Sequence, residues 1–293
     1  MRPLQAQLRR WIILFSVLGL WSSDALAQGD TGFLRGQGKV DIALSFNRDT
    51  YRDFWVSRQR REMSAVGRVT RDSYTIFTAV GILDDLDFQA SASYTGSTTS
   101  AHPLEKSAAG YSREDDFQDL TAGFKFRPLS FEAGPGEASV LFAPAVKLPL
   151  ASYEDDGVTA IGDGQSDYRA RIIAHYGFNN GIFVSVESGY DIRDGRPKDE
   201  IPLNITAGVT VAELVTIMPF YQNVNSLGGY NIGEGSFPGI EEDYERLGLA
   251  TFIRITENFG LSASWRTTVR GVLVRSKNTG DVEGFSVGLV LRF

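Results

Sequence analysis

Apolar and polar residues alternate along most of the chain, in about twelve runs that turn-forming residues separate. Because successive side chains of a strand point to opposite faces, each run predicts a strand with one apolar and one polar face. We expect these strands near residues 38–47, 73–82, 86–96, 117–128, 137–150, 167–177, 181–193, 201–211, 214–223, 244–255, 259–270 and 285–293. The pattern therefore predicts an all-β protein.

The connections between these strands alternate in length. Short turns follow the second, sixth, eighth and tenth strands, and a slightly longer link, Leu129 to Gly136, follows the fourth. Long polar links occupy the other positions. Outer-membrane barrels have short periplasmic turns and long extracellular loops, and an even strand count places both termini in the periplasm. We therefore predict a transmembrane antiparallel up-and-down β-barrel of about 12 strands in the outer membrane of a bacterial cell.

The last predicted strand has a wholly apolar face that ends in an aromatic residue. This face consists of Phe285, Val287, Leu289, Leu291 and Phe293. Its spacing resembles the terminal signal that outer-membrane barrels present to the barrel-assembly machinery, which we expect as a partner. As the closing strand of a barrel, it should pair with the strand near Val40 to Phe46.

The first 27 residues have the features of a secretory signal peptide. Arg2, Arg9 and Arg10 precede the apolar run Trp11 to Trp21, and Ala25-Leu26-Ala27 forms a cleavage site. We expect a signal peptide at 1–27 and one barrel at 28–293; an uncleaved anchor is the alternative. After residue 27 the sequence has no run of 18 or more consecutive apolar residues, so it predicts no transmembrane helix.

Composition excludes several function classes. Without residues 1–27, 26 basic and 35 acidic residues remain, a net charge of −9, which argues against nucleic-acid binding. The chain has no cysteine, and we expect no metal site and no cofactor. Acidic clusters in the predicted loops, Glu114 to Asp116, Glu154 to Asp156 and Glu241 to Asp243, lack calcium-loop spacing. They are interpreted as solvated surface, with cation-bridged contact to lipopolysaccharide as the alternative.

Residues opposite the apolar faces should line the barrel lumen. Among these positions basic residues outnumber acidic ones, which predicts a net basic lumen. The lumen-lining candidates are Lys125, Arg127, Lys147, Arg169, Arg171, His175, Glu187, Asp191, Arg246 and Arg266. Because the sixth and seventh strands share a tight turn, Arg169 and Arg171 should face Glu187 and Asp191. Either a satisfied ionic network or a cationic constriction for anionic or polar-headed solutes fits this pattern.

One segment resembles a known family. The stretch Gly162-Asp163-Gly164-Gln165-Ser166-Asp167 opens a predicted strand, and Gly181 to Arg193, which contains Gly189-Tyr190, follows it. These features, with the hairpin Val80 to Tyr94, are similar to a bacterial outer-membrane family associated with the meta-cleavage pathway of phenol degradation. The resemblance implies an outer-membrane transporter of small, often aromatic or hydrophobic compounds.

Three functions are compatible with the sequence. The first is a channel for small molecules, with aromatic, hydrophobic and anionic compounds as candidate solutes. The second is a lipid-modifying enzyme, which would need His102 or His175 to activate a serine, although no Gly-x-Ser-x-Gly elbow is present. The third is a structural or adhesion barrel whose arginine-rich 48–72 loop contacts lipopolysaccharide or a protein. Outer-membrane lipids and lipopolysaccharide are expected partners of all three.

Overall fold

Twelve strands of the described chain close into one antiparallel barrel. The computed structural model describes residues 31–56, 59–62, 67–100, 111–155, 157–195, 198–227, 244–269 and 279–293. In chain order the barrel strands are β1 (Val40–Tyr51), β2 (Val69–Leu83), β3 (Leu86–Thr99), β4 (Arg113–Ala133), β5 (Gly136–Pro149), β6 (Asp167–Phe178), β7 (Ile182–Arg193), β8 (Glu200–Val211), β9 (Val215–Ser226), β10 (Tyr244–Arg254), β11 (Phe259–Thr268) and β12 (Glu283–Arg292). The predicted strand count is confirmed.

The barrel closes between its first and last strands. β12 pairs with β1 in the register Ile42 to Leu291 and Leu44 to Leu289, as predicted. Beyond the ladder, the Val40 N–H donates to the Phe293 carbonyl at 3.0 Å, and the Phe293 N–H donates to the Val40 carbonyl at 2.9 Å. The terminal apolar face thus completes the only arrangement of strands that leaves no open edge in lipid.

Apolar side chains form a belt around the outside of the barrel. In β12, Phe285 and Val287 are 42% and 49% exposed, whereas Ser286 between them is 1% exposed. The same contrast separates exposed Leu249 from buried Ala250 in β10. An outward apolar belt on a closed antiparallel barrel is the structure that spans an outer membrane. Within the described residues, no helix is long and apolar enough to cross a membrane.

Two predicted boundaries were wrong in β4. The strand begins at Arg113, so the acidic cluster Glu114 to Asp116 lies in the strand and not in a loop. At its other end, residues 129–133 pair with β5, and only Gly134 and Pro135 remain as the turn. The ladder shifts register between Phe126 and Leu129, where Pro128 cannot donate a ladder hydrogen bond. This bulge interrupted the alternation from which the strand was predicted.

A small three-stranded sheet stands beyond the barrel at its loop end. Its strands are Asp53–Val56, Gln59–Glu62 and Thr279–Gly280. Arg60 is bound by the carboxylates of Asp53 at 2.9 Å and Asp281 at 2.7 Å. This arginine of the 48–72 loop is therefore neutralised by carboxylates of the same sheet.

Some predicted features lie outside the described residues. They are the signal peptide at 1–27, His102, Asp156 and the acidic cluster Glu241 to Asp243.

Because the apolar belt faces lipid, a charged substitution on β12 should destabilise the barrel by an amount that depends on its depth in the membrane. Val287 lies in the middle of the strand and faces outward, whereas Glu283 starts the strand at the loop end. We expect Val287→Arg to lower the free energy of unfolding by about 2–4 kcal/mol, and Glu283→Arg by about 0–1 kcal/mol. Guanidinium unfolding in lipid vesicles measures both. Equal costs at the two positions would contradict the proposed depth.

Candidate functional site

A segment before β1 lies inside the barrel at the end that carries the short turns. This N-terminal segment, residues 31–38, is held by the Arg35 N–H, which donates to Asp87 at 2.9 Å. The Arg35 guanidinium pairs with Asp41 at 2.8 Å, and Leu34 packs against Leu141 and Ile173. Through these contacts the N-terminal segment covers the periplasmic end of the lumen.

Three of the lumen-lining candidates lie at this end. Lys125 is fully buried, and its Nζ donates to the Thr31 carbonyl at 3.3 Å. The His175 Nδ1 lies 2.7 Å from the Ser185 hydroxyl, and the Phe33 ring packs on the imidazole at 4.7 Å. Arg127 lies at the periplasmic rim, where its Nε donates to Asp85 at 2.8 Å. Lys125 and His175 therefore contact the N-terminal segment, whereas Arg127 pairs with a turn.

An apolar layer crosses the lumen next to the N-terminal segment. Its buried members include Ala43, Phe77, Phe183, Met218, Phe220, Phe252 and Val290, and Phe33 packs against them. We call the rings of Phe33, Phe77, Phe183, Phe220 and Phe252 the aromatic septum. Alternation does not predict the aromatic septum, because these residues occupy the strand face assigned to polar side chains. The available signal was a break in alternation, as in Ile182-Phe183-Val184.

Glycines on neighbouring strands make room for the septum rings. A Cβ atom at Gly208 would lie 2.3 Å from the Phe183 ring, and one at Gly260 would lie 2.2 Å from the Phe252 ring. At Gly248 the Cβ would lie 2.2 Å from the Phe220 ring. Each of these rings thus occupies the space over a glycine of a neighbouring strand, where a larger residue would collide with it.

A second segment enters the lumen from the extracellular end. This inner loop, residues 151–166 without residue 156, buries Tyr153, Val158, Ala160 and Ile161. The Tyr51 hydroxyl donates to the Val158 carbonyl at 2.6 Å, and the Thr159 hydroxyl donates to the Tyr111 carbonyl at 2.7 Å. The inner loop therefore packs against the inner wall from several directions.

Ion pairs connect the inner loop to one side of the wall. Lys147 in β5 contacts Asp163 at 2.6 Å and Asp167 at 2.7 Å, and Arg193 in β7 pairs with Asp163. The expected pairs between β6 and β7 are present as well. Arg171 pairs with Asp191 and with Glu187 at 3.4 Å, and Arg169 lies 3.7 Å from Asp191. These pairs link into one ion network across β4 to β8.

The ion network is acidic as a whole. Its members are Lys147, Arg169, Arg171 and Arg193 with Asp119, Asp163, Asp167, Glu187, Asp191 and Glu200. Four cations against six carboxylates give a formal charge of −2 if all are ionised. Asp119, Asp163 and Glu200 were absent from the sequence-based set because a loop insertion and strand ends decide their position. On this wall the expected excess of basic residues is reversed.

The Gly-x-Gly-Gln-x-Asp stretch forms the base of the inner loop. Gly164 has a φ of +65°, which favours glycine, and its N–H donates to the Tyr153 hydroxyl at 3.2 Å. At Gly162 a Cβ would lie 2.5 Å from that same hydroxyl, so only glycine leaves room for it. Asp163 and Asp167 enter the ion network directly. The stretch thus fixes the loop inside the barrel.

Two titratable groups of the inner loop respond to this environment. Burial raises the pKa of the Tyr153 hydroxyl, and its hydrogen bond to Asp119 raises that pKa further. Burial alone would raise the pKa of Asp163, but Lys147 and Arg193 together bring it below its ordinary value. Asp163 therefore remains ionised in mild acid, when exposed carboxylates start to protonate.

The opposite wall carries a different group of charges. Arg71 of β2 faces Asp49 of β1 in register, and Arg266 of β11 binds that aspartate at 2.6 Å. Arg246 of β10 pairs in register with Thr268, two residues from Arg266, and its guanidinium stacks on the Tyr244 ring at 4.0 Å. We call Arg71, Arg246 and Arg266 the arginine cluster. With Asp49, its formal charge is +2.

A cavity of about 380 Å³ lies in the barrel. Its lining combines charged, amide and apolar groups, including Arg169, Arg171, Glu187, Asp191, Gln89, Asn204, Phe77, Val224 and Tyr244. The volume lies in the range of pockets for small organic ligands. Of the lumen-lining candidates, Arg169, Arg171, Glu187 and Asp191 meet at this cavity, Lys147 lies behind them in the ion network, and Arg246 and Arg266 lie in the arginine cluster.

The geometry predicts how acid affects the inner loop. Folding lowers the pKa of Asp163, so its stabilising contribution is complete above the ordinary value of 3.8 and is lost as pH falls through the lower folded pKa. At neutral pH we expect Asp163→Asn to lower the free energy of unfolding by about 3 kcal/mol, since it leaves buried cations underpaired. At an acid pH low enough to protonate Asp163 in the folded state, wild type and variant should be equally stable.

Denaturant titrations at the two pH values measure this difference. Exposed Glu132→Gln is the control and should change stability little at either pH. A gap between wild type and Asp163→Asn that persists undiminished in acid would contradict the ionic attachment of the loop.

One solved structure shows the same fold, and two others are less similar. An outer membrane channel from Pseudomonas putida F1 superimposes with a TM-score of 0.69 at 10% identity, over 94% of this chain and 100% of that one. The translocator domain of the autotransporter NalP from Neisseria meningitidis has a TM-score of 0.48 at 14% identity, over 99% and 97% of the two chains. The CymD monoaromatic hydrocarbon channel has a TM-score of 0.43 at 8% identity, over 88% and 89%.

Sequence comparison identifies the family. No curated protein matches the chain. A family model described as "Putative MetA-pathway of phenol degradation" matches residues 23–273. Because this match spans most of the 293 residues, the chain belongs to that family.

Proposed function

We propose that this barrel is an outer-membrane channel for small organic molecules with an apolar, often aromatic, body. The aromatic septum is the observation that carries the proposal. A lumen closed by Phe77, Phe183, Phe220 and Phe252 disfavours hydrated ions, because dehydrating a charge in an apolar layer is costly. An apolar solute loses nothing by leaving water at the same place. The family description, which refers to phenol degradation, is consistent with such solutes.

Transport through this lumen requires both chain segments to move. The inner loop is attached by the ion network, and the N-terminal segment by Asp87, Leu141 and Ile173. Neither segment has strand structure, and such segments open more readily than the hydrogen-bonded ladder that surrounds them. The cavity then serves as the binding place between two gates, each of which opens without breaking the barrel.

Release of the N-terminal segment should accelerate transport. Leu34 is 2% exposed between Leu141 and Ile173, so Leu34→Asp places an unpaired charge there and should expel the segment. We expect faster uptake of the fluorescent aromatic probe N-phenyl-1-naphthylamine by Gram-negative cells that express the variant. Ion conductance in planar bilayers should stay below that of a Phe220→Ser variant, which makes the septum polar. Gln37→Asp, exposed in the same segment, is the control.

The outcome separates a channel from a closed barrel. The proposal fails if wild-type expression leaves probe uptake at the level of cells without the protein, and if Leu34→Asp adds nothing. A folded barrel that stays impermeable in both variants would instead favour a structural or adhesion role.

The proposal assigns no enzymatic activity. The Ser185 hydroxyl lies beside His175, but Ser185 is buried and also accepts the Gly32 N–H at 3.4 Å. Among the described residues, Ser185 is the only hydrogen-bond partner of His175, so no carboxylate orients the imidazole as a hydrolase requires. Phospholipid hydrolysis by purified protein that disappears in His175→Ala would overturn this part of the proposal.

The partners follow from the location. We propose that the outward belt contacts outer-membrane lipids and lipopolysaccharide, and that the terminal face of β12 is presented to the barrel-assembly machinery. Arg60 of the extracellular sheet and Arg52, which precedes that sheet, are both exposed and paired with acidic neighbours. This pairing disfavours a phosphate site built on them.

A further inference from the structure

We propose that the arginine cluster binds the carboxylate of a small organic acid whose apolar body occupies the cavity. The inference rests on the proposed channel function and adds to it a carboxylate on the apolar solute, bound by arginines that lie outside the aromatic septum. Three observations support it: the register that brings the arginines together, the guanidinium donors without hydrogen-bond partners among the described residues, and the stacking of Arg246 on Tyr244, which lines the cavity.

The register places the cluster at one height of the wall. Asp49 pairs with Arg71 on one side and with Gly284 on the other, and Gly284 pairs with Arg266. A Cβ at Gly284 would lie 1.9 Å from Asp49 Oδ1, so the glycine is what allows Asp49 and Arg266 to meet. Arg246 pairs with Thr268, two residues from Arg266 on the same face. Side chains of β1, β2, β10 and β11 thus form one group of charges, with Gly284 of β12 between Asp49 and Arg266.

The cluster has more donors than described acceptors. Among the described residues, the buried Nε atoms of Arg71, Arg246 and Arg266 and the Nη1 of Arg266 have no hydrogen-bond partner. The hydroxyls of Ser264 and Ser286, which face each other in register, are unpartnered as well. Guanidinium groups cannot lose their charge in a protein, so a formal +2 in a buried site calls for an anion.

The wall that carries the ion network, β4 to β8, cannot be the anion site. Each cation of the ion network already has at least one carboxylate partner, and the network is formally negative. An anionic solute in the lumen is therefore repelled from β4 to β8 and attracted to the arginine cluster on β2, β10 and β11. The two walls orient a charged solute across the lumen.

The body of the acid has a place next to the cluster. Arg246 stacks on Tyr244, and Tyr244 lines the cavity together with Val224 and Phe77. A carboxylate that accepts from Arg246 would hold its apolar part over Tyr244 and in the cavity. Carboxylates bind guanidinium groups through paired, charge-assisted hydrogen bonds, which adds orientation to the attraction. The site thus fits an aromatic or short aliphatic acid better than a bare anion.

Calorimetric titration of the purified, folded barrel with three probes tests the site. Benzoate carries both the ring and the charge, acetate only the charge, and benzyl alcohol only the ring. We expect benzoate to bind more tightly than either of the others. Arg246→Gln and Arg266→Gln should each weaken benzoate binding about tenfold or more, since each removes charged hydrogen bonds, while benzyl alcohol binding should stay unchanged.

Two further variants separate recognition from structural damage. Arg254→Gln is the matched control, because Arg254 lies on the same strand and pairs with Glu213 at the other end of the barrel. It should leave benzoate binding intact. Asp49→Asn removes the cluster's carboxylate and should tighten benzoate binding, a gain that loss of structure cannot produce. Each variant is first checked for the folded, heat-modifiable band on a gel.

The results distinguish this site from the channel function. Benzoate binding that is unaffected by Arg246→Gln and Arg266→Gln, or that Asp49→Asn weakens, overturns the carboxylate site even if the aromatic probe still crosses the membrane. Benzoate binding with the expected variant pattern, in a barrel that transports no probe, supports the site and overturns the channel.

Discussion

Closure of the backbone hydrogen-bond ladder is the constraint on which the rest of this structure depends. The hydrocarbon of a membrane supplies no donors or acceptors, so each N–H and C=O in the wall must pair within the protein. The contact between β12 and β1, with Val40 and Phe293 bonded in both directions beyond the ladder, removes the last open edge. Once the ladder is closed, alternation divides every strand between lipid and lumen.

The lumen then has to be filled by whatever faces inward. On the periplasmic side, phenylalanines lie over glycines of neighbouring strands, and the N-terminal segment covers them. On the extracellular side, the inner loop is tied by Asp163 to Lys147 and Arg193. The net contribution of such buried pairs to stability is small, because their pairing must first offset their desolvation. The N-terminal segment and the inner loop are therefore each held in one position by contacts that local movement can break.

Charge is distributed unevenly around the lumen, and this is what gives the interior chemical character. On the wall from β4 to β8, every cation of the ion network has a carboxylate partner and carboxylates are in excess. Arg71, Arg246 and Arg266 have only one carboxylate, Asp49, near them among the described residues. Between the two lies a cavity with both amide and aromatic lining. An apolar layer and a polarised cavity in series act on different parts of a solute, its body and its charged group.

The sequence by itself determined the barrel, the strand count, the pairing of β12 with β1 and the pairs of Arg171 with Glu187 and Asp191, because all of these follow from alternation and from adjacency along the chain. Only the tertiary structure decided what fills the lumen. The septum depends on which glycine faces which ring across strands, and the network depends on a loop that folds back to place Asp163 beside Arg193. Such contacts depend on which side chains meet across strands and on how a loop folds back, so the alternation along each strand does not encode them.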